Sequence, residues 1–383
     1  MLILFLSLIN FTFAQNLTGE INIEERYFFE PGGYQNSNQL AHVIRIKPQY
    51  AKSWDNDRKS VDFKPYLLVS EPDQDKTHFD IREASYLANY DTWEIRVGVS
   101  KVFWGVSESQ HIVDVINQTD LVENIDGEQK LGQPMIIPTL ITSVGNFSAF
   151  ILPYFRERTF AGLEGRLRPS VVIKTDDPIY INTNKAAHVD YAFRWSHSLN
   201  NWDLGLSYFK GTDREPFFTF DGTNFIPNYG QAEQLSLDTQ YLWNDFIFKL
   251  ELLSKNRPSY KGQYTALTTG LEYTLNDKLS LIYEYLYDDR SDLTTSILGW
   301  NNHSFVAFRL SMNDTASTEF LGGFYIENSD GDVNLFRLEG SRRLSDNFKA
   351  ELQTNILIDA NDNTILVQAR QDSYAQMSLS YFW

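Results

Sequence analysis

Apolar and polar residues alternate, position by position, along most of this 383-residue chain. In the stretch 202–208 the large apolar side chains fall on every second residue: Trp202, Leu204, Leu206 and Tyr208. The same period recurs in the stretches 246–252, 279–287 and 348–358. Because successive side chains of a strand point to opposite faces, this period predicts β-strands with one apolar and one polar face.

The length and spacing of these segments favour a transmembrane β-barrel over a soluble sandwich. Many segments run for about 10 to 13 residues, the length of a tilted membrane-crossing strand, whereas strands of soluble sheets usually have about 5 to 6. Short connections are predicted near 88–92, 144–147, 199–202, 243–245, 276–278, 312–316 and 344–347, and longer ones at 210–230, 288–301 and 358–372. Short turns that alternate with long loops are typical of such barrels, and they predict about 18 strands, with 16 as the alternative.

Both ends of the sequence fit export to an outer membrane. Residues 2–13 are nearly all apolar but too few to span a bilayer as a helix, so residues 1–14 are predicted to be a signal peptide. No Lys or Arg precedes this run, which departs from the usual signal. The last strand, Ser373 to Trp383, alternates and ends in an aromatic residue, which resembles the segment recognised by the barrel-insertion machinery. One barrel domain is therefore expected over residues 15–383.

Composition excludes several classes of function. The sequence has no cysteine, so disulfides, thiolate metal sites and cysteine nucleophiles are excluded. The net charge of −17 predicts that nucleic acid is not a partner. Metalloprotease, hydrolase and Gly-rich nucleotide-binding motifs are absent from the sequence, and Ser109 and His111, although close, lie on a predicted loop. We therefore expect no catalytic residue, no metal and no cofactor.

The segment from Ser107 to Asp126 loses the alternation after the fifth predicted strand, and its residues Ile112, Val115, Ile116 and Thr119 fit helical spacing better. It belongs to the predicted loop Ser107–Gly132. We expect this third loop to fold into the lumen and narrow it. Its carboxylates are the predicted constriction residues: Glu108, Asp114, Asp120, Glu123 and Asp126. Their predicted basic partners on the lumen faces of strands are Arg96, Arg194, Arg309 and Arg337, because opposed acidic and basic groups set charge selectivity in pores. The alternative for each is an ordinary solvated charge or a weak wall ion pair.

A second basic group follows the seventh predicted strand and consists of Arg156, Arg158, Arg166 and Arg168. Two interpretations stay open for this external basic cluster. The guanidinium groups bind anionic solutes or the phosphates of lipopolysaccharide, for which arginine has suitable geometry. Alternatively, they are solvated charges of an external loop, balanced by nearby acids.

The run 81–121 resembles a poorly characterised family of outer-membrane porin-like barrel proteins. The resemblance rests on an REAYL-like strand, a W-x-x-RVG strand, a WG pair and a D-x-IN-x-x-DL run: Arg82, Glu83, Ala84, Tyr86, Leu87, Trp93, Arg96, Val97, Gly98, Trp104, Gly105, Asp114, Ile116, Asn117, Asp120 and Leu121. Ser85 is inserted in the first motif, and Gln118 stands where the family often has proline. The later segment with Pro153, Phe155 and Arg156 is similar to the family's next motif. The resemblance implies an outer-membrane barrel with an inward loop and no particular substrate.

These observations predict an all-β, antiparallel transmembrane barrel in the outer membrane of a Gram-negative bacterium, in contact with outer-membrane lipid and lipopolysaccharide. The favoured function is a channel for passive diffusion of small or extended solutes, without a chemical step. A barrel component of an export or lipid-transfer assembly and a structural outer-membrane protein remain as alternatives. A homo-oligomer is compatible with the sequence, which carries no interface signature.

Overall fold

A computed structural model describes residues 16–33, 38–124, 126–260, 262–290, 302–328, 333–358 and 371–383. The predicted signal peptide, residues 1–14, lies outside the described residues. So do most of the predicted long loops 288–301 and 358–372. Within the described residues, no helix is both long enough and apolar enough to cross a membrane.

Eighteen strands of the described residues form one sheet. In chain order they are β1 (Leu17–Phe28), β2 (Leu40–Trp54), β3 (Lys59–Glu71), β4 (His78–Asn89), β5 (Trp93–Ser100), β6 (Gln133–Thr142), β7 (Gly145–Leu152), β9 (Asp190–Leu199), β10 (Trp202–Thr212), β13 (Gln231–Trp243), β14 (Phe246–Arg257), β15 (Gly262–Thr274), β16 (Leu279–Asp288), β17 (Asn302–Ser311), β18 (Glu319–Glu327), β19 (Val333–Arg343), β20 (Phe348–Leu357) and β21 (Tyr374–Phe382). Three short strands, β8 (Ile179–Tyr180), β11 (Phe217–Phe220) and β12 (Phe225–Tyr229), form a separate small sheet in the loops.

The large sheet closes on itself. Neighbouring strands in the chain pair antiparallel around the whole sheet, and β1 pairs with both β2 and β21. At the seam, the backbone N–H of Trp383 donates to the carbonyl of Gly19 over 3.2 Å. The result is a closed barrel of 18 antiparallel strands, which confirms the predicted fold class and strand number.

The polarity of the wall is the reverse of that of a soluble protein. On β1, the apolar side chains of Ile23 and Tyr27 are 49% and 50% exposed on the outer surface. Between them, Glu24 and Arg26 are 3% and 6% exposed and point into the lumen. The alternation therefore places apolar groups outside and charged groups inside, as a surrounding lipid phase requires. The soluble sandwich considered from the pattern alone is excluded.

The connections at the two ends of the barrel differ in length, as the sequence predicted. At one end, two-residue turns join β9 to β10 and β13 to β14, and their first residues, Asn200 and Asn244, each have φ of 52°. Asparagine tolerates this left-handed conformation, which a tight turn between twisted strands requires. We call this the short-turn end and the opposite one the long-loop end. The connections 101–132, 153–189 and 213–230 all emerge at the long-loop end.

Candidate functional site: the lumen and its inward loop

The connection 101–132, called here the inward loop, folds into the barrel. It is irregular: its described residues form turns, bends and isolated bridges, so the predicted helical spacing at 112–119 was wrong. The physical reason lies in its backbone hydrogen bonds. Several N–H groups of the loop donate to acidic side chains of the wall, and a helix would require them to donate to carbonyls one turn earlier.

One side of the inward loop is attached to the wall by apolar packing. Trp104, Val113 and Ile116 are almost fully buried against lumen-facing residues of β6, β7, β9 and β10: Met135, Ile137, Phe150, Leu152, Ala192 and Phe209. The rings of Trp104 and Phe150 meet edge to face with centroids 5.4 Å apart. Burial of each large apolar side chain stabilises the loop by roughly 1.5–3 kcal/mol. This apolar anchor fixes the loop on the β6–β10 side of the lumen.

Two wall glutamates hold the backbone of the loop. The N–H groups of Val106 and Ser107 donate to Oε1 of Glu251 over 2.8 and 2.9 Å. The N–H groups of Glu108 and Ser109 donate to the two carboxylate oxygens of Glu284, each over 2.8 Å. Two consecutive residues are therefore held by each carboxylate, and these bonds are charge-assisted and strong.

Gly105 allows the backbone of the loop to approach the carboxylate of Glu251 closely. Its φ is +129°, and a Cβ added to it would lie 2.8 Å from Oε1 of Glu251. Any other residue would therefore be strained in its backbone and would crowd the carboxylate. The sequence reasoning missed Glu251 and Glu284 as site residues. Their position on the polar faces of β14 and β16 could have identified them as residues that face the lumen.

Two of the predicted loop acids lie next to predicted basic residues of the wall. Glu108 of the loop lies 2.7 Å from Arg309, with Lys249 at 3.2 Å. Asp126 lies 3.2 Å from Arg337. Burial favours neutral Glu108, but the charges of Lys249 and Arg309 outweigh it and lower its pKa. Burial raises the pKa of Asp126, although Arg337 opposes this shift.

Asp120 and Glu123 have basic partners that the sequence did not predict. Asp120 accepts from Arg82 over 2.5 Å, and Glu123 lies 3.0 Å from Arg45. Glu123 also accepts a hydrogen bond from Tyr66. Burial raises the pKa of Glu123 in spite of Arg45. Arg82 could have been recognised as a site residue, because it belongs to the REAYL-like motif and lies on a strand of the barrel wall.

The candidate ligand atoms of His78, Asp120 and Glu123 lie within 4.8 Å of one another, close enough in principle to share a metal ion. The guanidinium groups of Arg82 and Arg45 already neutralise the two carboxylates. Arg82 also stacks on the ring of Tyr66 at 4.3 Å. A cation at this point would meet two fixed positive charges, so the cluster is an ion-pair network of the loop rather than a metal centre.

The remaining predicted constriction residues are not brought together. Asp114 lies 3.2 Å from Lys130 within the loop itself. Arg194 forms a two-pronged pair with Asp238, with both distances 2.7 Å, and stacks over Trp104. Arg96 is half-buried and has no ion pair among the described residues. The structure therefore distributes these charges over several places along the lumen instead of one ring.

The four arginines of the external basic cluster do not form one exposed patch. Arg166 is buried against Asp372 at 2.5 Å and over the ring of Phe28. Arg168, also buried, donates to carbonyls of its own loop, including that of Leu163 over 2.7 Å. Arg156 lies 2.9 Å from Asp80. Arg158 is half-buried and donates through Nε to the side chain of Gln118.

Open space remains on the other side of the inward loop. A cavity of 450 Å³ lies between Glu108 and the strands β17–β21, and reaches Glu319 and Lys349 near the short-turn end. A second cavity of 360 Å³ shares five lining residues with it: Glu339, Glu351, Gln353, Gln376 and Ser378. The two cavities therefore adjoin, and together we call them the side passage. Its wall carries acids, bases, amides and hydroxyls, together with the apolar residues Phe320, Leu321 and Leu352.

The closed antiparallel sheet, its apolar exterior and the loop across its lumen define the class of membrane-spanning β-barrels. Among solved structures, the chain is similar to a triple mutant of the Rhodopseudomonas blastica porin, with 11% identity and a TM-score of 0.47 over 96% of this chain and 99% of that one. A five-residue mutant of this porin gives 10% identity and a TM-score of 0.48 over the same shares. No protein-family model matches the chain, and no curated protein matches it. The family resemblance of the run 81–121 therefore stays a prediction.

Proposed function

We propose that this protein is an outer-membrane channel through which small solutes diffuse passively along the side passage, with the inward loop as its constriction. The observation that supports the proposal is the asymmetry of the lumen. The loop is fixed to one wall by apolar packing, and a space of 450 Å³ with many charged and polar lining groups, adjoining one of 360 Å³, remains beside the opposite wall. Polar lining replaces the hydration of a passing solute, so no chemical step is required.

The proposal includes the surroundings of the barrel. The outer face presents a band of exposed apolar and aromatic side chains that suits contact with outer-membrane lipid, including lipopolysaccharide. Insertion would proceed through recognition of the strand from Ser373 to Trp383, which forms the seam with β1. Resemblance of the run 81–121 to porin-like barrel proteins agrees with this location.

The test is single-channel conductance of the refolded protein in a planar bilayer, with the reversal potential measured under a salt gradient. We expect discrete, stable openings. Folding is established beforehand by the β-type circular dichroism spectrum and by heat-dependent migration on a gel. Electrical silence from protein that passes both checks would contradict the diffusion channel.

A second candidate is a barrel that serves an export or lipid-transfer assembly and conducts little by itself. The observation in its favour is at the long-loop end of the side passage. There the space next to Glu24 and Arg26 narrows to a cavity of 50 Å³, beneath the segment that contains Arg166. Silent but folded protein that copurifies with a periplasmic partner would support this candidate instead.

A further inference from the structure

The segment 159–168, called here the strap, passes over the lumen at the long-loop end. It belongs to the connection between β7 and β9, which are the seventh and eighth strands of the ring. Its residue Arg166 contacts Glu30 and Asn38, between β1 and β2, and Asp372, just before β21. These are the first, second and last strands, so the strap reaches from the wall of β7 and β9 to the seam of the barrel.

Arg166 is the main attachment of the strap at the seam. Its side chain is 4% exposed, and its Nε donates to Oδ1 of Asp372 over 2.5 Å. Its two terminal nitrogens donate to three backbone carbonyls over 2.8 to 3.2 Å, those of Glu30, Asn38 and Gln371. The backbone N–H of Leu167 donates to the other carboxylate oxygen of Asp372 over 2.7 Å. One guanidinium therefore joins the strap to both chain segments that meet at the seam.

The middle of the strap rests on the turn 72–77 and on the inward loop. The N–H of Gly162 donates to Oδ2 of Asp73 over 3.3 Å, and a Cβ added to Gly165 would lie 2.3 Å from the same oxygen. The strap therefore lies against this turn at a distance that only glycine allows. The hydroxyl of Thr159 donates to Oδ1 of Asp120 in the inward loop over 2.6 Å. Contact with a loop that lies inside the barrel places the strap above the lumen and not only along its rim.

The narrow cavity of 50 Å³ lies directly beneath the strap. On one side it is lined by strap residues, among them Ala161, Glu164 and Arg166. On the other side it shares four lining residues with the side passage: Glu24, Arg26, Glu123 and Asn124. The side passage is therefore narrowest where the strap covers it.

The strap is held differently from the inward loop. Its apolar contacts at the seam are those of Leu167 with Phe28 and Tyr374, and its other attachments there are hydrogen bonds and an ion pair. Residues 153–178 form only turns, bends and isolated bridges. Polar contacts exchange with water at low cost, and segments with few buried apolar contacts open locally before the rest of a fold. The strap is therefore easier to lift than the inward loop.

We propose that the strap is an autoinhibitory gate, which closes the long-loop end of the side passage while Arg166 is seated at the seam and opens it when Arg166 is released. Arg166 acts by positioning the strap and not by binding a solute. The inference depends on the proposed channel only for what the gate controls, because the strap covers the cavity whether or not solutes pass.

The first test measures access to the covered cavity and does not require conductance. Ser70 is 3% exposed and lines the cavity beneath the strap, and the protein has no cysteine of its own. Ser70→Cys therefore places a single thiol under the strap with little change of shape. The rate of labelling is measured on folded full-length protein in detergent, with a maleimide that carries a sulfonated dye larger than the cavity. We expect slow labelling of Ser70→Cys alone.

Adding Arg166→Gln to Ser70→Cys should accelerate labelling by about tenfold or more, because charge-assisted bonds that hold the strap are lost. Asp372→Asn, which leaves Arg166 in place, should accelerate it to a smaller extent and serves if Arg166→Gln does not fold. The matched control is Arg58→Gln, which removes an exposed arginine from a turn at the short-turn end and should label like Ser70→Cys alone. Folding of each variant is checked by heat-dependent migration on a gel.

The second test is planar-bilayer conductance without the cysteine. Arg166→Gln should spend a larger fraction of time open than the unmodified protein, and Arg58→Gln should not. Equal labelling rates with and without Arg166→Gln, in folded protein, would overturn the gate, and so would faster labelling with unchanged opening. Faster labelling with no current from any of the proteins would contradict the channel and leave the strap as a releasable cover, so the two failures are distinguishable.

Discussion

The two walls that face the inward loop hold it by different physics. Against β6–β10, the loop buries Trp104, Val113 and Ile116 in an apolar cluster. Against β17–β19, it is held by the ion pairs of Glu108 and Asp126, with the side passage next to them. Apolar packing is close and leaves no room for solute, whereas charged pairs tolerate neighbouring water and can exchange partners. The anchored wall therefore sets where the loop lies, and in the proposed channel the charged wall sets which solutes pass it.

The largest effect should come from the apolar anchor, through Trp104→Ala. Trp104 is 3% exposed and packs on Phe150, so its removal leaves a cavity in the cluster. We expect a loss of about 3–5 kcal/mol in the free energy of unfolding, measured by denaturant titration in micelles. We also expect larger and noisier single-channel currents, because the loop is released from its wall.

Trp243→Ala is the control for this prediction, since Trp243 is 52% exposed on the outer surface. Its loss of stability should be clearly smaller, and its currents should be unchanged. Equal losses in the two variants would mean that the apolar cluster does not position the loop.

The second-largest loss of stability should come from Glu251→Gln, which changes one of the two wall carboxylates that hold the loop. The substitution removes the charge that receives the N–H groups of Val106 and Ser107. We expect the free energy of unfolding to fall by about 1.5–3 kcal/mol, the range for hydrogen bonds to a charged group. The control, Glu233→Gln, breaks an exposed pair with Lys210 and should cost less than about 1 kcal/mol. A loss in Glu251→Gln no greater than in Glu233→Gln would show that backbone capture by the wall is unimportant.

The features of the fold and of the site that could be predicted are those determined by residues close together in the sequence. Strand alternation and turn length are written in neighbouring residues, so the barrel, its 18 strands and its polarity followed from the sequence. Glu108, Asp126, Arg309 and Arg337 stood out as charges on a loop and on lumen faces, but which acid meets which arginine was not predictable from the sequence. The shape of the loop was not predictable in this way. Its backbone is held by Glu251 and Glu284, residues more than a hundred positions away, and only closure of the barrel brings them to it.

A smaller effect, on selectivity rather than stability, should follow from Glu108→Gln on the charged wall. The change leaves Arg309 and Lys249 with Glu272 as their remaining acid, so positive charge beside the side passage increases. We expect the reversal potential under a salt gradient to shift toward anions, with little change in conductance. Glu233→Gln, on the outer face, should leave the reversal potential unchanged. A shift toward cations, or none, would mean that solutes do not pass Glu108.

The smallest expected effect is a pH dependence within the inward loop itself, where His111 lies 3.3 Å from Glu128. Burial alone would lower the pKa of His111, but the Glu128 carboxylate outweighs burial and raises the pKa above its usual 6.5. A histidine whose pKa is higher in the folded than in the unfolded state stabilises the fold fully at pH values below its unfolded-state pKa. That contribution is lost as the pH rises through the folded pKa. The difference in unfolding midpoint between the unmodified protein and His111→Gln, followed between about pH 5 and 8, should therefore shrink as the pH rises. A difference that is constant or grows with pH would show that the loop is not held by the protonated imidazole, and would leave apolar packing and the wall carboxylates as its main attachments.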